Sequence, residues 1–517
     1  MLNAYAARDF RPIWTGRDRR AAEALLAAMG QAFEHGLPSD PRRVALLRGI
    51  LEAAPRDGSD PMAEIALADA WLDYARVKLS GLIAPSSLSE NLHVFPVEHR
   101  DDELLFMVAS APDPAALVAG VEPPGGQYEA LQQVLADLRA VIEAGGWGPE
   151  VASGPLIRPG DSDPRVPALR ERLAALGDYA APPEPDPLLE LLRSDPEPVA
   201  EGEGAVVVPD PTVFDPGTEE ALRAFQRRHG LNEDGVVGPA TLAALNTSAE
   251  ERARQVLVNL ERERWKNGAL EPDHIYVNLA DFRMWVREGG EDIFTTRVVV
   301  GQSQEHETPE FVDRMTFLVA NPTWTVPRSI ATEEILPQLR TNPAHLQENN
   351  MILLPGGGGE PVPEDSALVD WSQFSVNYFP WWIRQAPGPG NALGRVKFMF
   401  PNQFAIYLHD TPSRSLFRRD VRDFSHGCVR VQDPIGLMEV LLAPQMDNPR
   451  AEFQSILDTG VETEIPLRRP IPVHLDYRTV RVEADGTVHF RQDVYLRDTL
   501  VYEALEEAGV SLFGVAG

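Results

Sequence analysis

The spacing of apolar residues changes near residue 273 of this 517-residue chain, and the change separates two kinds of structure. Before it, apolar side chains recur every three or four positions, which is typical of amphipathic helices. After it, they alternate with polar ones in runs such as 275–279, 282–286 and 296–301, which indicates strands. One hydrophobic core stops growing at roughly 250–300 residues, so the chain should contain more than one domain. We therefore expect a multidomain α+β protein.

The region 1–150 is predicted to be a helical domain. Its apolar stripes favour packing faces over a binding surface, and the last stripe ends at the helix-stopping pair Gly145 and Gly146. The stripes consist of Leu25, Leu26, Met29 and Phe33, then Ile65, Ala68, Leu72 and Ala75, and finally Leu131, Leu135, Leu138 and Ile142.

Residues 161–247 are predicted to form a second, smaller helical unit. Leu222 and Phe225 lie on the inward face of a helix that ends at Gly230. The segment 182–211 interrupts this unit and is rich in Pro, Asp and Glu, so we interpret it as an acidic, solvated insertion.

The alternating region 273–445 is predicted to be a mainly β domain. Inside it, residues 320–385 carry four tryptophans, several prolines and the glycine run 356–359, which indicates an inserted subdomain or lid. We expect the tryptophans to line a cleft or to fill a core. They are Trp324, Trp371, Trp381 and Trp382. The segment 466–517 carries a hairpin signal and a final helix, and it should complete the helical scaffold domain.

The charge balance narrows the possible partners. The chain has 47 basic and 78 acidic residues, a net charge of −31, which disfavours nucleic acid or an anionic membrane surface as a partner. No run approaches about 18 apolar residues, so we expect no membrane-spanning helix. Residues 1–10 lack a basic segment followed by an apolar one, which taken literally predicts a cytoplasmic protein.

The chain has a single cysteine, Cys428, which excludes an intramolecular disulfide. It lies in the run Ser-His-Gly-Cys-Val-Arg at 425–430, and His409 ends an apolar run upstream of it. A thiolate is a strong nucleophile, and a nearby imidazole can remove the thiol proton. Gly427 indicates a tight turn that presents the sulfur and leaves backbone N–H groups free nearby. The pattern favours thiol-based nucleophilic catalysis.

Two alternatives to thiol catalysis remain open. A free cysteine is commonly a small buried hydrophobe. Cys428, His409 and His426 also make a partial zinc ligand set, with Asp410 or Asp423 as the fourth ligand. A structural zinc site usually has more than one cysteine, so we place thiol catalysis above metal binding.

Strand alternation predicts which side chains share a face with the thiol. In the run ending at His409, we expect Ala405, Tyr407 and His409 on one face. If the chain is extended after the glycine, Cys428 and Arg430 also share a face, and the valines beside them point to the core. Arg430 would then stabilise a thiolate, bind a substrate carboxylate or form a structural salt bridge.

The stretch Ile-Tyr-Leu-His-Asp-Thr-Pro at 406–412, with Ser-His-Gly-Cys at 425–428, resembles the L,D-transpeptidase catalytic domain. The family pattern is a histidine, about fifteen residues, and then Ser/Thr-His-Gly-Cys, and residues 410–424 supply that interval here. Residues 384–394 and the pair at 397–398 also look like this family.

The resemblance extends over most of the chain. Residues 215–246 are similar to a peptidoglycan-binding module. Residues 259–265, with the helical N-terminal region, resemble the large multidomain transpeptidases of Gram-negative envelopes. This resemblance implies a helical scaffold domain, a small three-helix peptidoglycan-binding module at 161–247 and a mainly β catalytic domain with an inserted capping subdomain.

By this resemblance, the reaction is a two-step acyl transfer. The Cys428 thiolate would attack the carbonyl between the third residue, a diaminoacid, and the D-Ala of a stem tetrapeptide, so that D-Ala leaves and a thioester forms. The side-chain amine of a second stem would then attack, giving a 3→3 cross-link. His409 would be the general base, and His426 with the backbone N–H of Gly427 would lie at the oxyanion. Substrate contacts are expected from Arg430, Tyr407, Ser425 and Asn391.

The resemblance implies no cofactor and no metal. The partners would be peptidoglycan stem peptides and glycan, penem-type β-lactams as covalent inhibitors, and proteins of cell-wall synthesis. Because peptidoglycan lies outside the cytoplasm, the resemblance favours a periplasmic location. Two other functions remain open: hydrolysis, as an L,D-carboxypeptidase or a cross-link hydrolase, and a non-catalytic wall-binding scaffold.

Overall fold

The chain divides into two compact units. The computed structural model describes residues 2–123, 125–179, 210–266, 270–356 and 361–513. The first unit comprises residues 1–84, 95–268 and 479–517, and the second comprises residues 85–94 and 269–478. Each unit is described by itself below.

The first unit is built mainly from helices. Four of them begin at an Asp-Pro pair, in which the carboxylate accepts a backbone N–H of the first turn and the proline occupies the start of the helix. No helix in the described part of the chain is both long and apolar enough to cross a bilayer. The helices of this unit span Leu2–Ala6, Arg20–Gly30, Pro41–Ala53, Pro61–Ser80, Asp101–Ser110, Pro114–Ala119, Gln127–Glu143, Val166–Ala175, Pro216–Arg228, Pro239–Asn246, Ala249–Arg264 and Arg497–Glu507.

The helix Pro61–Ser80 differs at one position from its predicted packing stripe. Ile65, which we placed on the buried face, is 41% exposed, whereas the other three members of the stripe are buried. Its neighbour Glu64 is buried instead, because its carboxylate accepts hydrogen bonds from the backbone N–H groups of Trp14 and Thr15 and from two side-chain hydroxyls. A buried carboxylate requires such partners, so a long-range polar network sets which face of this helix is covered.

The predicted three-helix module is present in the first unit. Helices Val166–Ala175, Pro216–Arg228 and Pro239–Asn246 contribute to one apolar core. The core includes Leu169, Leu173, Leu222, Phe225 and Leu245. The acidic insertion predicted at 182–211 lies outside the described residues, apart from its last two positions.

The second unit is built around a nine-stranded sheet. Its strands are β1 (His274–Asn278), β2 (Arg283–Glu288), β3 (Glu291–Gly301), β4 (Phe311–Ala320), β8 (Val396–Met399), β9 (Leu408–His409), β10 (Asp423–Ser425), β11 (Val429–Val431) and β12 (Thr463–Asp476). Their order across the sheet is β10-β3-β11-β9-β8-β4-β12-β1-β2. Because β3 also pairs with β2, the sheet closes on itself, with β10 outside the ring. Helices Pro434–Leu442 and Pro449–Asp458 lie between β11 and β12 in the chain.

The sheet continues beyond residue 445, where we expected the β domain to end. The strand β12 pairs antiparallel with β4 and parallel with β1, so it belongs to this sheet and not to the C-terminal segment 466–517. Prolines obscure its pattern, because the register shifts between Pro466 and Ile471. The rest of that segment forms a hairpin, Val480–Val482 with Val488–Phe490, and the final helix, as predicted.

The run before His409 is not the continuous strand that we predicted. Only Leu408 and His409 form β9. Ala405 has a φ of 55°, in the left-handed region. The side chain of Asn402 accepts the N–H of Ile406 at 3.2 Å and donates to its carbonyl at 2.7 Å, which folds the run into a turn. The predicted strand is therefore interrupted at Ala405, whereas Tyr407 and His409 do lie side by side, with 5.7 Å between their ring centroids.

The inserted segment within the second unit has its own hydrophobic core. Trp371 and Trp381 are buried in it, Trp324 packs against it, and Trp382 is 45% exposed. A three-stranded sheet contributes to this subdomain, and its middle strand is Trp381–Gln385. Of the glycine run 356–359, the structure describes only Gly356. The elements are β5 (Trp324–Thr325), a helical stretch of Arg328–Ile330, the π turn Ala331–Ile335 and Leu336–Thr341, then His345–Glu348, β6 (Met351–Pro355) and β7 (Trp381–Gln385).

Residues 85–94 belong to the second unit, although in the chain they lie between helices of the first. Leu92 forms a bridge with Glu310, and the N–H of His93 donates to the Glu310 carbonyl at 3.0 Å. The ring of His93 packs on Phe404 with 4.3 Å between the ring centroids. This segment therefore contacts the loop that leads into β9.

Candidate active site

The parallel pairing of β9 with β11 sets the layout of the site. Its register places His409 opposite Arg430 and Leu408 opposite Val429. One position earlier, the N–H of Val429 donates to the carbonyl of Tyr407 at 3.1 Å, which brings Tyr407 alongside Cys428. The predicted meeting of these two chain segments is therefore observed.

Cys428 is a partly exposed thiol beside two cations. Burial raises the pKa of this thiol to about 11, and hydrogen bonds from Tyr407 and the charges of Lys397 and Arg430 oppose that rise. Its Sγ–H donates to the carbonyl of Ala405 at 3.7 Å. The resting group is therefore a thiol, and a base must remove its proton before it attacks a carbonyl.

His409 is suited to be that base because it is held neutral. Its side chain is buried, with 5% exposure, and its Nδ1–H donates to the carbonyl of Asp410 at 2.6 Å. A carbonyl only accepts, so the proton lies on Nδ1 and Nε2 keeps its lone pair. Burial, with the nearby charges of Arg430 and Lys397, lowers the pKa of His409 to about 3.

The carboxylate of Asp410 fixes the end of β9. Its carboxylate accepts the N–H of Thr411 at 2.7 Å and of Arg395 at 2.9 Å, and it pairs with Arg414. These contacts engage both carboxylate oxygens, so the aspartate that we considered as a fourth zinc ligand is held by other partners. In the described part of the chain, no three His, Cys, Asp or Glu side chains form a group that could hold a metal ion.

Tyr407 contacts both Cys428 and His409. Its ring lies 5.7 Å from that of His409, and its hydroxyl hydrogen-bonds to Cys428. Burial first, and the neighbouring thiolate second, raise the pKa of this phenol. Tyr407 therefore stays a neutral hydrogen-bond donor beside the sulfur, where we had expected a substrate contact.

Lys397 is a site residue that the sequence did not single out for a role. It pairs with His409 across β8 and β9, and its Nζ lies 5.0 Å from the centroid of the Tyr407 ring. Burial lowers the pKa of Lys397, while Cys428 and two glutamates oppose that shift. The sequence did indicate that Lys397 lies in a strand. It did not indicate which strands are neighbours in the sheet, and it is the pairing of β8 with β9 that brings Lys397 to His409.

The turn at 425–428 presents both the sulfur and two backbone donors. Gly427 has a φ of 98°, and its carbonyl accepts the hydroxyl of the buried Thr308 at 2.7 Å. A Cβ at this position would meet Ile406 at 3.1 Å, which also favours glycine. Among the described residues, the N–H groups of Gly427 and Cys428 have no hydrogen-bond acceptor. They are therefore available to an oxyanion formed beside the sulfur.

Ser425 and Asn391 have geometries that favour structural roles over the substrate contacts we expected. The buried Ser425 donates its hydroxyl to the carbonyl of Cys428 at 2.5 Å and so closes the turn. Asn391 is 1% exposed, and its amide donates to the carbonyls of Pro322 and Ala386 at 3.1 and 2.9 Å. Its side-chain oxygen accepts a further backbone N–H, so it organises the loop before β8.

His426 lies at the exposed rim of the site and meets a residue from the inserted subdomain. Its Nε2 is 2.5 Å from Oε1 of Glu334, and its ring lies 4.4 Å from that of His306. Burial lowers the pKa of His426, Glu334 opposes that shift, and His306 and Arg430 add to it. Sequence spacing gave no signal for Glu334, which lies almost a hundred positions upstream in the π turn.

Arg430 remains available for an anionic group. It is half-buried, and burial lowers its pKa, while Cys428 and Glu334 oppose that shift through their charges. Within the described part of the chain, it forms no ion pair within 4 Å. The structural salt bridge that we considered is therefore not formed there, and the guanidinium is free to meet a substrate carboxylate.

Three segments of the chain match known families. Residues 272–457 match the L,D-transpeptidase catalytic domain named YkuD, residues 203–245 match a "Putative peptidoglycan binding domain", and residues 1–135 match a scaffold domain. A Haemophilus influenzae protein named "Putative L,D-transpeptidase" is 34% identical over 254 residues, which cover 48% of this chain and 49% of that protein. The match thus spans about half the length of that curated relative.

Two solved structures are similar at low identity. An L,D-transpeptidase from Stackebrandtia nassauensis is 14% identical with a TM-score of 0.22, and the match covers 64% of this chain and 98% of that chain. An L,D-transpeptidase segment from Xylanimonas cellulosilytica is 16% identical with a TM-score of 0.17, and the match covers 63% of this chain and 100% of that chain.

Proposed function

We propose that this chain, which carries an L,D-transpeptidase catalytic domain, a peptidoglycan-binding domain and a scaffold domain, cross-links peptidoglycan by acyl transfer through Cys428. One observation carries the proposal: the thiol of Cys428 lies on a turn with two unengaged N–H groups, in the same strand pair as the neutral imidazole of His409.

In the first step, Nε2 of His409 takes the thiol proton, and the sulfur attacks the carbonyl between the diaminoacid and D-Ala of a stem tetrapeptide. The N–H groups of Gly427 and Cys428 stabilise the oxyanion. The C–N bond then breaks, the proton passes from His409 to the leaving amine, and D-Ala departs. A positioned base typically contributes ~10²–10⁴-fold in rate. A thioester remains on Cys428.

In the second step, the side-chain amine of another stem attacks the thioester, the C–S bond breaks and a 3→3 cross-link forms. Arg430 supports this assignment because its unpaired guanidinium suits a stem-peptide carboxylate. A penem-type β-lactam would acylate the same sulfur. Attack by water in place of the amine gives the alternative activity, that of an L,D-carboxypeptidase or cross-link hydrolase.

The proposed reaction belongs at the cell wall, and we therefore propose a periplasmic location. Residues 1–150 would be the scaffold, residues 161–247 would bind glycan, and residues 273–445 with β12 would perform catalysis beneath the capping insertion 320–385. Proteins of cell-wall synthesis remain proposed partners on the same basis.

Incubation with a purified disaccharide-tetrapeptide tests the proposal, with products read by mass. Wild type should release D-Ala and form a cross-linked dimer. The variant Cys428→Ala should neither release D-Ala nor form the dimer. A tripeptide product would instead assign the hydrolase. No change in the substrate, with no mass adduct on folded protein after penem treatment, would contradict both activities and favour a wall-binding scaffold.

A further inference from the structure

We propose that His426 and Glu334 form a second base, which takes the proton of the acceptor amine as it attacks the thioester. This inference rests on the proposed function and concerns its second step only. In this second step, His426 is the group that receives the proton, and Glu334 is a positioning residue that acts through His426.

The pair has the geometry of a carboxylate-supported imidazole. The distance from Oε1 of Glu334 to Nε2 of His426 is 2.5 Å. Because an ionised carboxylate only accepts hydrogen bonds, Nε2 carries the proton and Nδ1 is the basic nitrogen. The same hydrogen bond stabilises the imidazolium that forms when Nδ1 takes a second proton.

The pair lies next to the nucleophile. His426 precedes Cys428 by two positions on the turn, and its side chain is 30% exposed. Arg430 interacts through charge with both Glu334 and Cys428, so the carboxylate and the sulfur lie near the same guanidinium. An acceptor that enters from solvent therefore meets this exposed imidazole at the rim, whereas His409 is buried.

His409 and His426 differ in the charged groups that surround them. His409 is flanked by the cations Lys397 and Arg430, which disfavour a positive charge beside it. The groups around His426 are Glu334, His306 and Arg430, so it alone of the two has a carboxylate partner. The acceptor nitrogen becomes positive as it attacks, and that charge is better tolerated beside the Glu334 carboxylate.

Aminolysis forms one bond at the acyl carbon and breaks one. The lone pair of the neutral amine forms the C–N bond, and the electrons of the C–S bond go to the sulfur of Cys428. One nitrogen proton goes to Nδ1 of His426, which leaves an imidazolium paired with Glu334 and a thiolate. Transfer of that proton to the thiolate through solvent restores the starting state.

The test measures the rates of acylation and of aminolysis separately in the variant Glu334→Gln and in wild type. Acyl-enzyme is first formed with a tetrapeptide donor and then mixed with either a stem peptide or methoxyamine, which stays uncharged through the neutral range. We expect aminolysis to slow on the order of ten-fold while acylation stays within about two-fold of wild type. Glu333→Gln, an exposed neighbour in the same turn, is the matched control and should retain both rates.

The pH profile with methoxyamine distinguishes this role from a structural one. Glu334 raises the pKa of His426, so its removal should shift the acid limb of aminolysis to lower pH as well as lower the plateau. An unshifted limb, an equal loss in both half-reactions, or unchanged aminolysis would each overturn the inference. If wild type forms no acyl-enzyme at all, the proposed function fails instead.

Discussion

The imidazole of His409 donates its Nδ1–H to the carbonyl of the very next residue, Asp410, at 2.6 Å. This short-range bond selects the tautomer in which Nε2 is basic, and the carboxylate of Asp410 is itself held by backbone N–H groups and arginines. The orientation of the His409 imidazole thus depends on how firmly the end of β9 is fixed.

The buried, neutral state of His409 predicts a pH-dependent stability. Its pKa is about 3 in the fold and about 6.5 in an unfolded chain. Between those values the unfolded state binds more protons, so the free energy of unfolding falls as pH falls, by up to about 1.4 kcal/mol per pH unit. Urea unfolding of wild type and His409→Gln should therefore converge as pH drops from about 7 to about 4. A constant difference over that range would contradict the prediction.

Removing the Tyr407 hydroxyl should slow acylation. The hydroxyl stabilises the thiolate, and a hydrogen bond to a charged group contributes about 1.5–3 kcal/mol. Tyr407→Phe should raise the thiol pKa and slow acylation about ten- to hundred-fold. The pH dependence of iodoacetamide alkylation measures the first effect and D-Ala release the second, with Tyr179→Phe in the three-helix module as the control.

Lys397 should matter through its charge. It lowers the pKa of both Cys428 and His409, so Lys397→Met should raise both and reduce thiol alkylation at neutral pH. Lys397→Arg keeps the charge and should retain most of the alkylation rate. Equal loss in the two variants would mean that the shape of lysine, and not its charge, is what the site requires.

Ser425→Ala should weaken the turn rather than substrate binding. The lost hydrogen bond to the carbonyl of Cys428 typically contributes about 1 kcal/mol to stability. We expect a lower unfolding midpoint and slower acylation by a similar factor for peptide and penem donors. A rise in KM for the peptide alone, with unchanged stability, would instead support the predicted contact between Ser425 and the substrate.

The sequence predicted local features better than long-range ones. The meeting of the segments that carry Cys428 and His409 could be predicted because thiol chemistry requires these residue types and the motif is short. Lys397 and Glu334 could not, because their places depend on strand register and on the packing of an inserted subdomain. The same limit explains Ile65, whose exposure follows from a carboxylate network that spans about fifty positions of the chain.

Residues 85–94 impose an order of events on folding. They form part of the second unit, where Leu92 pairs with Glu310 and His93 packs on Phe404, and both of these partners are synthesised much later. The ring of strands also cannot close until β12 has been synthesised, because β12 pairs with both β4 and β1. A nascent chain therefore cannot complete the unit that holds Cys428 until residue 476 has left the ribosome, so the sheet around the thiol closes only after residues far on both sides of it have been synthesised.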